Sequence, residues 1–304
     1  MMRRGQWIVM SAVGAAGAVA SLFSGAAQAQ AAPRKLRVVA SFSILADMVR
    51  EVGGGAVEVS GLVGPNADAH VFEPSPRDAK RLADADLVVI NGLRFEGWIE
   101  RLIKASGYRG PVLVATQGIT PRLLGREPDP HAWQSLVNAR RYVENIRAAL
   151  VAARPALAAE INLRSADYLR RIDTLDASAR ARLLQIDAAD RRVVTSHDAF
   201  GYLAESYGVT FVSAQGWNTG TEASAADVAR IVRQLKGQKV RAIFVENISD
   251  PRLVQRIAHE VGAQVGGTLY SDALSPPGTA ADTYLRMFEH NVSTLLAALT
   301  TVRR

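Results

Sequence analysis

Residues 36–52 read LRVVASFSILADMVREV, and this stretch decides the fold. Its first part, Leu36–Phe42, is apolar on both faces, as expected of a strand in a parallel sheet that helices cover on both sides. The part from Ile44 to Val52 has the pattern of a helix. A buried strand followed at once by a helix is the repeating unit of α/β proteins.

The same unit recurs along the chain in two blocks. Short β-branched runs predict four strands in each block: Leu36–Phe42, Val57–Val63, Leu87–Asn91, Val112–Thr116, Arg192–Ser196, Thr210–Ala214, Ala242–Glu246 and Gln264–Tyr270. Helical patterns lie between them, such as Ile44–Val52, Pro76–Ala83, Ala199–Tyr207, Ala225–Lys236 and Pro251–Val261. This alternation predicts an α/β fold of two lobes, each with a four-stranded, mainly parallel sheet flanked by helices.

A different segment separates the two blocks. Residues 156–186 contain no Gly and no Pro, and their apolar residues recur close to every 3.6 positions. The opposite face carries arginines and aspartates. Pro155 stands where a first-turn proline is tolerated. We expect one long helix here; it could be an ordinary surface helix, but its place between similar blocks favours a rigid connector of the two lobes.

Residues 1–29 differ in composition from the rest. Arg3 and Arg4 precede an apolar run, and small residues follow, ending in Ala27-Gln28-Ala29. This order is typical of a secretory signal peptide, and the run is short and weakly hydrophobic for the alternative, a membrane anchor. We therefore expect a signal peptide at 1–29, an N-terminal lobe at 34–140, a helical connector at 141–187 and a C-terminal lobe at 188–304.

The composition of the chain excludes several classes of function. The formal net charge is +7, but no basic stripe with interleaved aromatic residues is present, so we expect no nucleic-acid partner. The chain has no cysteine, which excludes thiolate metal sites, a cysteine nucleophile and a lipid-modified cysteine. We expect export to the periplasm without a lipid anchor, and any metal must be held by histidines and carboxylates.

Four residues at strand ends are the candidate metal ligands. His70 follows the second predicted strand, His131 the fourth, His197 the fifth, and Asp272 the last. Ligands of open α/β sheets bind beyond the carboxyl ends of the strands, so these side chains would meet if the two sheets face each other across a cleft. Three imidazoles and one carboxylate form a tetrahedral set that suits Zn²⁺ better than Mn²⁺. His259 and His290 lie in helical patterns, where we expect surface or packing roles.

The motifs around these residues resemble a known family. They include His70-Val71-Phe72-Glu73-Pro74-Ser75-Pro76, Asp129-Pro130-His131-Ala132-Trp133, His197-Asp198-Ala199-Phe200-Gly201-Tyr202, Phe244-Val245-Glu246-Asn247 and Tyr270-Ser271-Asp272-Ala273-Leu274. With these, the chain resembles the metal-specific cluster A-I solute-binding proteins of ABC transporters, the zinc and manganese family, over essentially all of the sequence after residue 29.

This resemblance implies two α/β lobes joined by one rigid helix, with a metal ion between them. It also implies metal ligands at His70, His131, His197 and Asp272. Manganese-transporting relatives typically carry Glu at the position of His197, so the resemblance favours Zn²⁺. One zinc branch has a long His-rich loop, whereas residues 116–129 are short and contain no histidine. Gln134-Ser135 also stands where many relatives have Asp-Pro.

The function expected from the sequence is periplasmic Zn²⁺ capture and delivery to the permease of an ABC transporter in the inner membrane. We expect a monomer, and a periplasmic zinc metallochaperone is a further candidate partner. The nearest alternative is a manganese or iron carrier. A zinc hydrolase is more remote, since four protein ligands leave no open position for water. Candidates to support the metal-bound histidines are Glu246, Asp68 and Asp198.

Overall fold

The structure is a computed structural model that describes residues 34–220, 224–236, 240 and 242–300. The predicted signal peptide at 1–29 lies outside the described residues. No helix in the described part combines the length and apolarity needed to cross a bilayer.

The first block alternates strands and helices as the sequence predicts. Its elements are β1 (Leu36–Phe42), α1 (Ser43–Gly53), β2 (Val57–Val63), α2 (Pro76–Ala83), β3 (Leu87–Ile90), α3 (Ile99–Ser106) and β4 (Val112–Val114). The strands form one parallel sheet in the order β2-β1-β3-β4. Since β1 is central, its side chains are buried on both faces, and all of them except Arg37 are.

The middle of the chain contains a hairpin that the sequence pattern did not predict. The elements here are β5 (Leu123–Leu124), β6 (Glu127–Pro128), α4 (Leu136–Ala153) and α5 (Ala158–Leu183). The strands β5 and β6 pair antiparallel, so His131 follows this hairpin and not β4 directly.

The second block repeats the topology of the first. Its elements are β7 (Arg192–Thr195), α6 (Gly201–Tyr207), β8 (Thr210–Ser213), α7 (Ala225–Lys236), β9 (Ala242–Glu246), α8 (Pro251–Val261), β10 (Val265–Leu269) and α9 (Tyr284–Thr300). The parallel order is β10-β9-β7-β8, which is the order of the first sheet applied to the later strands. In each sheet the strand order reverses next to the first strand, at β1–β3 and at β7–β9, and ligands bind α/β sheets at such switch points.

The long helix α5 lies against helices from both parts of the chain. It packs on α1 and α4 and also on α6 and α9. Its buried side chains follow a helical period, and ion pairs tie its exposed face to α1, through Arg171 and Glu51, and to α9, through Arg182 and Glu289. At 26 residues it is about 39 Å long. The predicted fold class is confirmed, while the lobe boundaries stay a prediction.

Two hydrophobic clusters hold these layers together. The larger cluster joins the first sheet to α4, α5, α9 and one face of the second sheet, with residues such as Val89, Tyr142, Tyr168 and Phe288. The smaller one lies between the other face of the second sheet and α7 and α8. The strands, and with them the loops at their carboxyl ends, are therefore held in place by packing against the helices.

Candidate metal centre

The structure brings together all four residues that the sequence predicts as metal ligands. One ligand atom of each of His70, His131, His197 and Asp272 lies within 4.8 Å of the others. Asp272 Oδ2 lies 3.2 Å from Nε2 of His70 and 3.2 Å from Nε2 of His197, and the Nε2 atoms of His70 and His131 are 3.4 Å apart. The four side chains are fully buried. Three imidazoles and a carboxylate thus surround one small space.

Each of these side chains stands in a loop just beyond a strand. His70 lies between β2 and α2, and its main-chain N–H donates to Asp68. His131 follows β6, and His197 lies two residues after β7. Asp272 lies three residues after β10, where the indole N–H of Trp133 donates to the carbonyl of Ser271 at 2.8 Å. The strands determine where each loop begins, and these hydrogen bonds stabilise the conformations of the loops that carry His70 and Asp272.

Two further carboxylates lie behind the histidines. The ring Nδ1 of His131 is 2.8 Å from Asp129 Oδ1, which also accepts the main-chain N–H of His131 at 3.0 Å. Glu246, at the end of β9, accepts the main-chain N–H of His197 at 2.8 Å. Its Oε2 lies 2.6 Å from Nδ1 of His197, although the ring N–H is poorly aligned with it. With Nδ1 directed to a carboxylate, Nε2 is the nitrogen free to bind a metal.

The buried charges shift the pKa values of the cluster in opposite directions. Burial lowers the pKa of His70, so its imidazole is neutral and ready to coordinate. Burial would also lower the pKa of His197, but the carboxylates of Glu246 and Asp272 outweigh it and hold that pKa well above its usual value. Burial opposes the charge of Asp272, yet His197 and His131 hold its pKa well below the usual range. Without a metal, the site therefore keeps a proton on His197 between two carboxylates.

Aromatic rings enclose the cluster. The edge of Phe95 lies against His70, with ring centroids 4.7 Å apart, and Trp133 lies 5.4 Å from His131. The ring of Trp217 also lies near His70, with ring centroids 5.9 Å apart. These rings keep bulk water from the imidazoles and strengthen the electrostatic interactions among them.

Of the three acids that the sequence offered as supports for the histidines, only Glu246 contacts an imidazole. Asp68 bonds the main chain of His70 and the hydroxyl of Thr219, and Asp198 makes no hydrogen bond to a histidine ring in the described part. The acid that sequence reasoning missed is Asp129. Its signal was its position two residues before His131, a spacing at which an aspartate commonly bonds the chain that follows it.

The other two histidines lie apart from the cluster. His259 is exposed on α8, and His290 on α9 lies 3.1 Å from the carbonyl oxygen of Thr268. Among the described residues, one group of metal-binding side chains fits around a single ion, and it contains neither of them. The structure thus places His259 and His290 away from the predicted site.

Two α/β units of the same topology, with a buried cluster of three histidines and one aspartate at their strand ends, define a metal-binding solute-binding protein. The chain belongs to the ZnuA family, the zinc-uptake complex component A, periplasmic, whose sequence model matches residues 38–298.

Named relatives cover almost the whole chain. The iron-binding protein YfeA of Yersinia pestis is 35% identical over 287 residues, which span 91% of this chain and 92% of YfeA. The manganese-binding lipoprotein MntA of Bacillus subtilis is 32% identical over 280 residues, which span 89% of this chain and 92% of MntA. The solved structure of the periplasmic zinc-binding protein TroA of Treponema pallidum is 31% identical, with a TM-score of 0.85, and covers 88% of this chain and 100% of TroA.

Family membership sets the general function. The chain is a metal-binding solute-binding protein for import by an ABC transporter, located in the periplasm or outside the cell, and its partner is the permease of such a transporter. Solute-binding proteins of this family are not enzymes, which confirms the expectation from the sequence. The relatives are named for iron, manganese and zinc, so the relationship alone leaves the metal open.

Proposed function

We propose that this protein captures Zn²⁺ in the periplasm, with His70, His131, His197 and Asp272 as its ligands, and delivers the ion to the permease of an ABC importer. The observation that carries this proposal is the convergence of these four fully buried side chains within 4.8 Å.

The donor set favours zinc over harder cations. Zn²⁺ prefers four ligands in a tetrahedron and binds imidazole nitrogen at about 2.0–2.1 Å and carboxylate oxygen at about 2.0–2.2 Å. Mn²⁺ binds nitrogen-rich sites more weakly and favours carboxylate and water oxygens. Three imidazoles with one carboxylate therefore match Zn²⁺, and the full burial of these side chains keeps them from bulk water.

The charge around the site also suits a divalent cation. The carboxylates of Asp272, Asp129 and Glu246 are all fully buried. Buried carboxylates are costly unless they are paired, and a bound divalent ion would offset much of their negative charge. The two carboxylates behind His131 and His197 also raise the basicity of those imidazoles and thus strengthen their bonds to a metal.

Zinc binding should displace a proton. In the metal-free site His197 lies between Glu246 and Asp272, which raise its pKa, so its Nε2 carries a proton at neutral pH. A metal at Nε2 must release that proton, because a protonated nitrogen has no lone pair to donate. Acidification therefore competes directly with zinc.

The sequence supports a proposal for the location of the protein. A signal peptide at residues 1–29 would direct export, and the chain has no cysteine that could carry a lipid anchor. We propose a soluble periplasmic monomer of two lobes, at 34–140 and 188–304, with residues 141–187 as the helical connector. A periplasmic zinc metallochaperone that loads the protein with Zn²⁺ is a further proposed partner.

The competing candidate is a manganese or iron carrier, because relatives named for both metals align over most of the chain. Protein without an affinity tag should be stripped of metal and titrated with Zn²⁺ and Mn²⁺ against a chromophoric chelator at pH 7.5. We expect one Zn²⁺ per chain and a preference for Zn²⁺ of roughly a hundredfold or more, or about 2.8 kcal/mol. Equal affinities, or a preference for Mn²⁺, would overturn the zinc proposal.

A further inference from the structure

Arg122 lies at the centre of a network behind the metal centre. It lies immediately before β5, and its side chain lies between two carboxylates. Its Nη1 donates to Asp129 Oδ2 at 2.5 Å, and its Nε donates to Glu205 Oε1 at 2.6 Å. Asp129 is fully buried, whereas the side chain of Glu205 is 64% exposed. The interaction with Asp129 is thus the one that is shielded from water.

The two oxygens of Asp129 have separate tasks. Oδ1 accepts both the main-chain N–H and the ring Nδ1 of His131, and Oδ2 accepts the guanidinium of Arg122. Because both oxygens are occupied, the carboxylate cannot rotate away from the imidazole. Loss of Arg122 would leave Oδ2 as a buried anion without its cation, which is strongly unfavourable unless the side chain turns to find another partner.

The network also joins the two blocks of the chain. Tyr202 on α6 donates its hydroxyl hydrogen to the carbonyl of Asp129 and accepts the main-chain N–H of Arg122, each at 3.0 Å. Glu205 lies on the same helix, which begins four residues after His197. The environment of His131 is therefore tied to the helix that follows another ligand, His197.

The guanidinium of Arg122 occupies the space that a side chain at Gly201 would fill. A Cβ built on Gly201 would be 1.7 Å from Nη1 of Arg122 and 2.4 Å from its Cζ. Gly201 is the first residue of α6 and has ordinary helical backbone, so an alanine there would not strain the helix itself. It would, however, push the guanidinium away from Asp129.

We propose that Arg122 is a positioning residue for zinc capture. It holds the carboxylate of Asp129 in place, so that the imidazole of His131 keeps its Nε2 towards the metal. Gly201, which has no side chain, leaves room for the guanidinium of Arg122. This rests on the proposed zinc function. The zinc affinity of the unaltered protein tests that function, and the ratios between variants test the role of Arg122.

The test is a double-mutant cycle on the full protein, with Zn²⁺ affinity measured by chelator competition. Loss of an acid beside a metal-bound histidine costs about 10- to 100-fold, and Arg122 acts one bond further away, so Arg122→Ala and Gly201→Ala should each weaken Zn²⁺ binding about 3- to 10-fold. In the Arg122→Ala background, Gly201→Ala should cost less than about twofold, because nothing remains for the methyl group to displace. Arg126→Ala, an exposed charge on the same hairpin, is the control and should leave affinity unchanged.

The absorption bands of Co²⁺ bound in place of Zn²⁺ give a readout that general destabilisation would not change. We expect these bands to shift in Gly201→Ala and in Arg122→Ala, and to return towards the original spectrum in Arg122→Lys, which keeps a cation that can reach one carboxylate. Affinities of Arg122→Ala within twofold of the unaltered protein would overturn the inference. So would a loss from Gly201→Ala that is equal in both backgrounds, or weaker binding with an unchanged Co²⁺ spectrum. If Arg122→Ala does not fold, Gly201→Ala and Arg122→Lys decide by the same criteria.

Discussion

Replacing Glu246 by glutamine tests whether the carboxylates behind the histidines strengthen zinc binding. Glu246 is fully buried and makes two contacts with one ligand: Oε1 with the main-chain N–H of His197 and Oε2 with its ring Nδ1. Glutamine has the same length, and its amide oxygen can keep the main-chain bond. Its NH₂ group would then face Nδ1–H of metal-bound His197 at about the 2.6 Å that now separates Oε2 from Nδ1. Two donors would oppose each other in a buried place.

The size of the effect follows from that loss. A buried hydrogen bond to a charged group contributes about 1.5–3 kcal/mol, and every 1.4 kcal/mol is a factor of ten in affinity. We therefore expect Glu246→Gln to weaken Zn²⁺ binding about 10- to 100-fold, which agrees with the usual cost of removing a carboxylate behind a metal-bound histidine. The affinity is measured at pH 7.5 by competition with a chromophoric chelator.

Glu96→Gln is the matched control. Glu96 is also a buried glutamate, but it accepts bonds from the hydroxyl of Ser41 and the main-chain N–H groups of Asn91 and Gly92, and it bonds no histidine. Its substitution should change zinc affinity less than threefold. The reasoning is refuted if Glu246→Gln binds Zn²⁺ within threefold of the unaltered protein, or if the two variants lose affinity equally.

Three further predictions follow from the same contacts. Zn²⁺ binding at pH 7.5 should release about one proton, which His197 loses, and calorimetry in two buffers of different ionisation enthalpy should detect that release. Zinc affinity should therefore decrease as the pH is lowered, and a pH-independent affinity would contradict this. His197→Glu should shift the ratio of Zn²⁺ to Mn²⁺ affinity towards Mn²⁺ by at least about tenfold in a competition titration, and an unchanged ratio would count against the donor-set argument. Burial raises the pKa of Asp47 from 3.8 to about 6, so its charge destabilises the fold as pH rises through that range. Asp47→Asn should then stabilise the metal-free protein by up to about 3 kcal/mol at pH 7.5 and by almost nothing at pH 3.5, as thermal unfolding would show.

Much of the fold could be predicted because its strands are buried on both faces. Such strands appear as short apolar runs between polar turns, and each predicted strand matches an observed one to within two residues at either end. The hairpin β5–β6 was missed because strands of two residues carry no alternation to detect. The long helix was predicted because 156–186 lacks Gly and Pro, although the first turn, Pro155–Leu157, is a 3-10 helix that precedes α5.

The four residues of the cluster could be predicted because strand ends of parallel sheets share one edge. Of the two supporting acids, Glu246 was among the candidates from the sequence and Asp129 was not, and the two Asp-x-His sequences show why. Asp68 precedes His70, and Asp129 precedes His131, by the same two residues, and each aspartate bonds the main-chain N–H of its histidine. Only Asp129 also contacts the imidazole. The local sequence sets the main-chain bond, whereas the packing of distant residues decides where each ring points.

The most direct test of the central claim is anomalous X-ray diffraction from crystals of the protein loaded with one equivalent of Zn²⁺, recorded above and below the zinc absorption edge. We predict a single zinc peak about 2.0–2.2 Å from Nε2 of His70, His131 and His197 and from a carboxylate oxygen of Asp272. A peak elsewhere, or a zinc ion that one of these four side chains does not touch, would contradict the account.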